Sequence, residues 1–363
     1  MSDEKRDKYL FINGLHCITK SLGEILVNNT EYFKKDIFNE SMFFGLDTAV
    51  DCVYRSLGKT HFPHYFIGGR KPNWLEDFSS ITGINITRKT CVDNERAERL
   101  LLNDIDSGKS VLLEVDKYCI DYWKEIVGPE DYGGHLIVAV DYDKDGFWIS
   151  DQHREGTGLT HISFEEMRNA RSARLYWKPP ENSYYEFAYP DSYYEIQPMI
   201  IKAIHRNSDR FLNYHGNEAF TGLYALEVWE NDILNWYETL NYMIVEPKTR
   251  QNILAIDYQL FKLKMFVHGG NIGGGGNFRY IYSEFLSSSS RILQLHQMEY
   301  LSNKMKESGD LWKSIAEVIQ KGEIEKYVYN EPWKILQEIK IIIKEIEDLE
   351  KDIFNGLHTI TGG

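Results

Sequence analysis

Gly133-Gly134-His135-Leu136-Ile137-Val138-Ala139-Val140 runs straight from two glycines into an apolar, β-branched stretch, and Phe147-Trp148-Ile149-Ser150-Asp151 answers it a few residues later. A run of five such residues suits a buried strand, here Leu136 to Val140. Asp143 to Gly146 carries turn residues, so Phe147 to Ser150 returns as a second strand. Joined as an antiparallel hairpin, the two strands bring their far ends side by side, and with them His135 and Asp151. A carboxylate beside a histidine fixes the ring tautomer and stabilises the imidazolium, which is what a general base needs.

The matching nucleophile lies upstream. From Cys17, Ile18, Leu22, Ile25 and Leu26 fall on one helical face, so a helix is expected to begin at or just before the cysteine. Asn13-Gly14 ahead of it supplies a turn that would expose the thiol at the helix start. A helix N-terminus lowers a thiol pKa, and a nearby histidine completes the activation. Cys17, His135 and Asp151 are therefore the expected triad. Cys52, within an apolar run, reads instead as a small buried hydrophobe, and Cys91 and Cys119 lie beside no comparable turn and helix.

The rest of the first half mixes helix and strand signals. Glu40 to Leu57 reads as a helix or helix pair and Val111 to Val115 as a strand. Ser163-Phe164-Glu165-Glu166 is a capping box opening a helix, and Ser172 to Trp177 reads as a closing strand. Pro179-Pro180 and the polar, aromatic stretch Asn182 to Pro198 look like a linker. Beyond it strand signals vanish. Met199 to Phe211, Gly222 to Trp236, Tyr237 to Ile244, Thr249 to Val267, Phe278 to Lys306 and Leu311 to Lys321 suit helices, broken by a glycine cluster from His268 to Asn277. The expected fold is thus α+β, with a sheet-bearing catalytic domain over 1–180 and an all-helical domain over 181–363. Ile335, Ile339, Ile342, Ile346, Leu349 and Ile353 keep heptad spacing. They mark a final helix packed on its own domain, the alternative being a dimerising helix and hence a homodimer.

Composition limits the functions. The 363 residues are 42% hydrophobic, enough for a large core, and the formal net charge is −14. That balance argues against a general nucleic-acid binder and favours cationic small molecules. The start of the chain is polar with no apolar stretch behind it, and no apolar run approaches the roughly 20 residues of a membrane span. The four cysteines are scattered without a Cys-x-x-Cys pair, so reduced thiols and a cytoplasmic location are expected. There is no His-Glu-x-x-His and no Cys/His cluster at ligand spacing, and the glycine run lacks the Gly-Lys-Ser/Thr of a phosphate-binding loop. No metal or other cofactor is expected.

Asn13-Gly-Leu-His-Cys17-Ile-Thr, then Ser41-Met-Phe-Phe-Gly-Leu46, the segment ending at Asp116, the His135 strand and Ile-Ser-Asp151 resemble, in the same order, the N-terminal domain of the butirosin biosynthesis protein H family. The run Gly273 to Gly276 followed by Asn277-Phe278-Arg279, then Tyr282 and Phe285-Leu286, resembles the same family's C-terminal domain, so the likeness spans nearly the whole chain. The resemblance implies a papain-like fold with nucleophile Cys17, base His135 and carboxylate Asp151. It also implies an acyltransferase that moves an acyl group from a carrier-protein thioester to an amine of a small molecule, as in antibiotic biosynthesis. The expected partners are an acyl carrier protein with its phosphopantetheine arm and an amine-bearing small molecule, with neither nucleic acid nor membrane.

One departure matters. Papain-like peptidases place a Gln a few residues before the cysteine as an oxyanion donor, and Phe11 to His16 contains none. The Cys17 amide with Asn13 or His16 would have to serve. This weakens the peptidase or amidase alternative more than acyl transfer. A non-catalytic binding protein on a retained fold is the other alternative. In the second half, Gly274, Gly275 and Arg279 are candidates for a backbone nest and cation that hold the phosphate of the carrier's arm. A surface loop is the plainer reading of the same glycines.

Overall fold

The hairpin read from the sequence forms the fourth and fifth strands of a six-stranded antiparallel sheet. The computed structural model describes residues 4–58, 63–71, 75–124, 134–151, 158–174, 179–216, 219–246, 249–268 and 275–362. The chain divides into two compact units. The first combines Met1–Phe43 with Gly83–Tyr193, and the second combines Phe44–Thr82 with Tyr194–Gly363. These units do not follow the cut expected near residue 180, because the chain leaves the first at residue 44 and returns at 83.

In the first unit, α1 (Cys17–Asn29) is followed by β1 (Asn85–Lys89), α2 (Asn94–Asp106), β2 (Val111–Val115), β3 (His135–Tyr142), β4 (Gly146–Ser150), β5 (Thr160–Ser163), α3 (Phe164–Ser172) and β6 (Tyr184–Ala188). The strand order is β1-β6-β2-β3-β4-β5, antiparallel throughout. The continuous apolar run of β3 has a physical reason. Val111, Leu113, Val115, Ile137, Ala139, Phe147 and Ile149 join the core that Leu101 and Ile105 of α2 and Met167 and Ala170 of α3 complete. The alternate residues Leu112, Leu136, Val138 and Val140 are equally buried, and α1 packs on β3 and β2. A sheet covered on both faces has no polar side to show. The capping box forms as expected, with Ser163 and Glu166 each taking the other's backbone N–H.

Three readings of the first half are corrected. Glu40–Leu46 is helical, but Val50–Ser56 is a strand. Thr48 at φ +51° ends the helix, and the β-branched residues after it pair with Tyr65–Arg70. The supposed linker contains β6, which inserts between β1 and β2; Tyr185 is buried while Glu186 is exposed, the alternation of a half-covered strand. Ser172 ends α3 rather than starting a strand, and residues 175–178 lie outside the described residues.

The second unit is helix-rich but not all-helical. Val50–Ser56 stands between Tyr65–Arg70 and Phe220–Thr221 in a small sheet, and Met243–Val245 pairs with Asn252–Leu254. Strands of two or three residues are too short to show alternation, which is why the sequence hides them. The single helix expected over Phe278–Lys306 is two, Arg279–Leu293 and His296–Gly322, broken at Gln294 in the left-handed region (φ +57°). The last helix, Pro332–Ile360, packs on its own unit against His296–Gly322, Ile196–Asn213 and Gly222–Asp232. Its buried line runs through Ile339, Ile343, Ile346 and Glu350 rather than Ile342 and Leu349. A straight helix of period 3.6 drifts off a strict heptad in this way.

Asp257 carries a buried carboxyl whose Oδ1 makes no hydrogen bond among the described residues, and burial raises its pKa to about 6. A carboxyl that is harder to ionise when folded contributes stability present below about pH 4 and lost as pH rises through about 6. Asp257→Asn, which mimics the neutral form, is expected to raise stability at pH 7 by about 1 kcal/mol once solvent screening is allowed for, with no gain at pH 3.5. Urea melts at the two pH values check this.

Candidate active site

Cys17 is the first residue of α1, behind His16 in extended conformation (φ −113°, ψ 112°). The sulfur therefore sits at a helix N-terminus, where the positive end of the helix dipole favours a thiolate. His135 opens β3 with its ring 3% exposed. In the hairpin Val138 stands opposite Ser150, which puts Asp151 one step further and diagonal to His135. Asp151 Oδ1 lies 2.6 Å from His135 Nε2. The ring also hydrogen-bonds Cys17, and with Nε2 engaged, Nδ1 is the nitrogen left for the sulfur. The structure thus brings Cys17, His135 and Asp151 together as one hydrogen-bonded chain.

Burial alone would lower the His135 pKa. The charge and hydrogen bond of Asp151, followed by Cys17, outweigh it and push the value up to about 9. Burial alone would raise the Asp151 pKa. His135 outweighs it, helped by Tyr122 and Trp123, and holds the carboxyl well below the usual range. The pair is therefore carboxylate and imidazolium at neutral pH, the state that stabilises a thiolate.

Sequence reasoning missed the residues that grip this pair. Tyr122 O–H donates to Asp151 Oδ2 at 2.6 Å and Trp123 Nε1–H donates to the same oxygen at 2.9 Å. The Trp123 ring also meets His135 edge-on, with centroids 5.3 Å apart, and carries the Lys117 ammonium over its face. Behind the site, the buried Lys20 of α1 donates to Glu24 Oε1 and to Ser150 Oγ, at 2.7 and 2.8 Å. That ties the helix of Cys17 to the residue before Asp151. Only a Tyr-Trp pair and a Lys-x-x-x-Glu spacing mark these residues in the sequence, and both patterns are commonplace.

Each clamp hydrogen bond to a buried carboxylate is worth about 1.5–3 kcal/mol. Tyr122→Phe is expected to slow alkylation of Cys17 by iodoacetamide about tenfold and to raise the pH at which that reactivity is lost on acidification. A wild-type pH profile in that variant would show that Tyr122 does not act through Asp151.

Asn13 is solvent-exposed, while buried His16 gives its N–H to Glu40 Oε1 at 2.7 Å and holds Thr19 Oγ1 with Nδ1 at 3.1 Å. The phosphate-binding expectation for Arg279 is overturned. Its side chain is fully buried in the second unit, bidentate to Glu350 at 2.7 Å through both Nε and Nη2. Gly275 has φ +74° and leads into the turn Gly276–Phe278, where a Cβ on Gly276 would strike the Gly309 backbone at 2.7 Å. Gly274 lies outside the described residues.

Comparison with known families gives two matches. Residues 16–152, which contain Cys17, His135 and Asp151, match the model described as butirosin biosynthesis protein H, N-terminal. Residues 165–357, more than half of the chain, match a domain of unknown function (DUF4872). No curated protein matches the chain. No helix of the described residues is long and apolar enough to cross a membrane. By these matches the chain belongs to the DUF4872 family, and its first part carries a domain of the butirosin biosynthesis protein H N-terminal type.

Proposed function

We propose that the protein is a papain-like cysteine acyltransferase of the cytoplasm, using Cys17 as nucleophile, His135 as acid and base, and Asp151 as the group that orients His135. The observation that carries the reading is the hydrogen-bonded chain from Cys17 through His135 to Asp151, with the thiol at a helix start. The Cys17 thiolate attacks the carbonyl of an acyl thioester on a carrier protein. The carrier sulfur leaves and takes the proton from the His135 imidazolium, giving an acyl-enzyme and neutral His135. An amine of the acceptor then attacks the acyl carbon and gives its proton to His135. The amide departs, and Cys17 returns as the thiolate beside an imidazolium.

Support for transfer rather than cleavage comes from the family's biosynthetic name and from the absence of a Gln donor before Cys17. The net charge of −14 suits a cationic, amine-bearing acceptor. The test is intact-mass analysis after mixing with an acyl-loaded carrier protein. The expected result is one acyl adduct, absent in Cys17→Ala, that persists in buffer and clears on adding a polyamine or aminoglycoside. Rapid hydrolysis of the adduct by water, or cleavage of peptides instead, would point to an amidase. No adduct and no peptide cleavage would leave a binding protein.

A further inference from the structure

The turn that presents Cys17 is held from a distance. His16, the residue capping α1, makes no side-chain hydrogen bond to the helix amides. The carboxylate of Glu40, 24 residues on and 8% exposed, takes over. Its Oε2 accepts the Leu15 N–H at 2.9 Å and its Oε1 the His16 N–H at 2.7 Å, with the Thr19 hydroxyl at 3.5 Å from Oε1. Gly14 makes room for it: a Cβ there would lie 2.5 Å from Glu40 Oε1. Two residues the catalytic reading leaves unused, Gly14 and Glu40, thus fit together against the backbone that leads into the nucleophile.

We propose that Glu40 is a positioning residue for Cys17: its carboxylate holds Leu15 and His16 in the turn that presents the thiol, and its negative charge opposes that of the thiolate. The inference rests on Cys17 being the nucleophile of the proposed function. A backbone amide bound to a carboxylate is an amide denied to a substrate oxyanion, so Glu40 also takes Leu15 and His16 out of the oxyanion site. Among the described residues, the ionisable groups round this end of α1 include His16 and Lys20 on the helix side, Glu40 from its own helix, and His135 with Asp151 from the hairpin. His16 holds Thr19, Lys20 holds Glu24 and Ser150, and His135, held by Asp151, hydrogen-bonds Cys17.

Two variants separate position from charge, read by iodoacetamide alkylation of Cys17 across pH, which needs no acyl donor. Glu40→Gln removes the charge and leaves a single oxygen for two amides. Its acid limb is expected to move down by about half a pH unit, as loss of a charge at a helix start should do. Its limiting rate is expected to fall about three- to tenfold. Gly14→Ala keeps the charge but pushes the carboxylate off the amides, which should lower the limiting rate by a similar factor. The far end of Glu40 is a flexible group, so Gly14→Ala should melt near the wild-type temperature. An unmoved acid limb in Glu40→Gln, or wild-type limiting rates in both variants, would overturn the inference. A wild-type Cys17 no faster than an ordinary thiol would instead overturn the proposed function.

Discussion

Asp151→Asn is expected to form the acyl-enzyme about 10³- to 10⁴-fold more slowly than wild type, with the fold retained. The reason is a proton placed on the wrong nitrogen. Tyr122 and Trp123 both donate to Oδ2, and an asparagine has only one acceptor oxygen to meet them. With that oxygen turned to the two donors, the amide NH₂ faces His135 Nε2, which must then accept. The ring proton moves to Nδ1, the nitrogen that should receive the proton of the Cys17 thiol. The same variant removes the charge chiefly responsible for raising the His135 pKa to about 9. An activity that needs the imidazolium holds up to about that pH in wild type, and the alkaline limb should move to lower pH in Asp151→Asn. Rapid-quench intact-mass measurements over a pH series check both parts. A rate within tenfold of wild type would remove Asp151 from the triad.

Arg279→Ala is expected to cost about 3–5 kcal/mol of stability, the cost of stranding a buried charge. Both members of the Arg279–Glu350 pair are fully buried. Arg279 also donates from Nη1 to the carbonyls of Asp51, Asn277 and Gly69, at 2.8, 2.9 and 3.3 Å. It lies over the Trp312 ring at 4.9 Å. Glu350 accepts in turn from Ser308 Oγ at 2.5 Å and Trp312 Nε1 at 3.0 Å. The guanidinium thus joins the strands Val50–Ser56 and Tyr65–Arg70 to the helices that carry Trp312 and Glu350. Removing it leaves the buried Glu350 carboxyl without its cation and takes a donor from three carbonyls. Arg279→Lys should recover little, since one ammonium cannot reproduce the planar fork. For a unit of this size the loss is about 10 °C in melting temperature, measured by calorimetry. A carrier-binding defect in a stably folded Arg279→Ala would contradict the structural role.

Local signals in the chain were faithful where the physics is local. The helix start at Cys17 follows from side chains spaced at 3.6 residues, and the hairpin follows from a turn between two apolar runs. The capping box at Ser163 forms because its two hydrogen bonds span three residues. Those elements suffice to place His135 beside Asp151, since hairpin register decides both. The strand Tyr184–Ala188 was hidden because its identity comes from the partners it inserts between. Arg279 read as a phosphate ligand because a glycine run beside an arginine carries no record of Glu350, which lies 71 residues away.

The sequence by itself determined that a cysteine at a helix start and a His–Asp hairpin exist in this protein, because helix period, turn chemistry and strand alternation act over a few residues. Only the tertiary structure decided what grips them: Tyr122 and Trp123 on Asp151, Lys20 on Ser150, and Glu40 on the turn before Cys17. Such contacts depend on where distant segments cross, and no periodicity encodes a crossing.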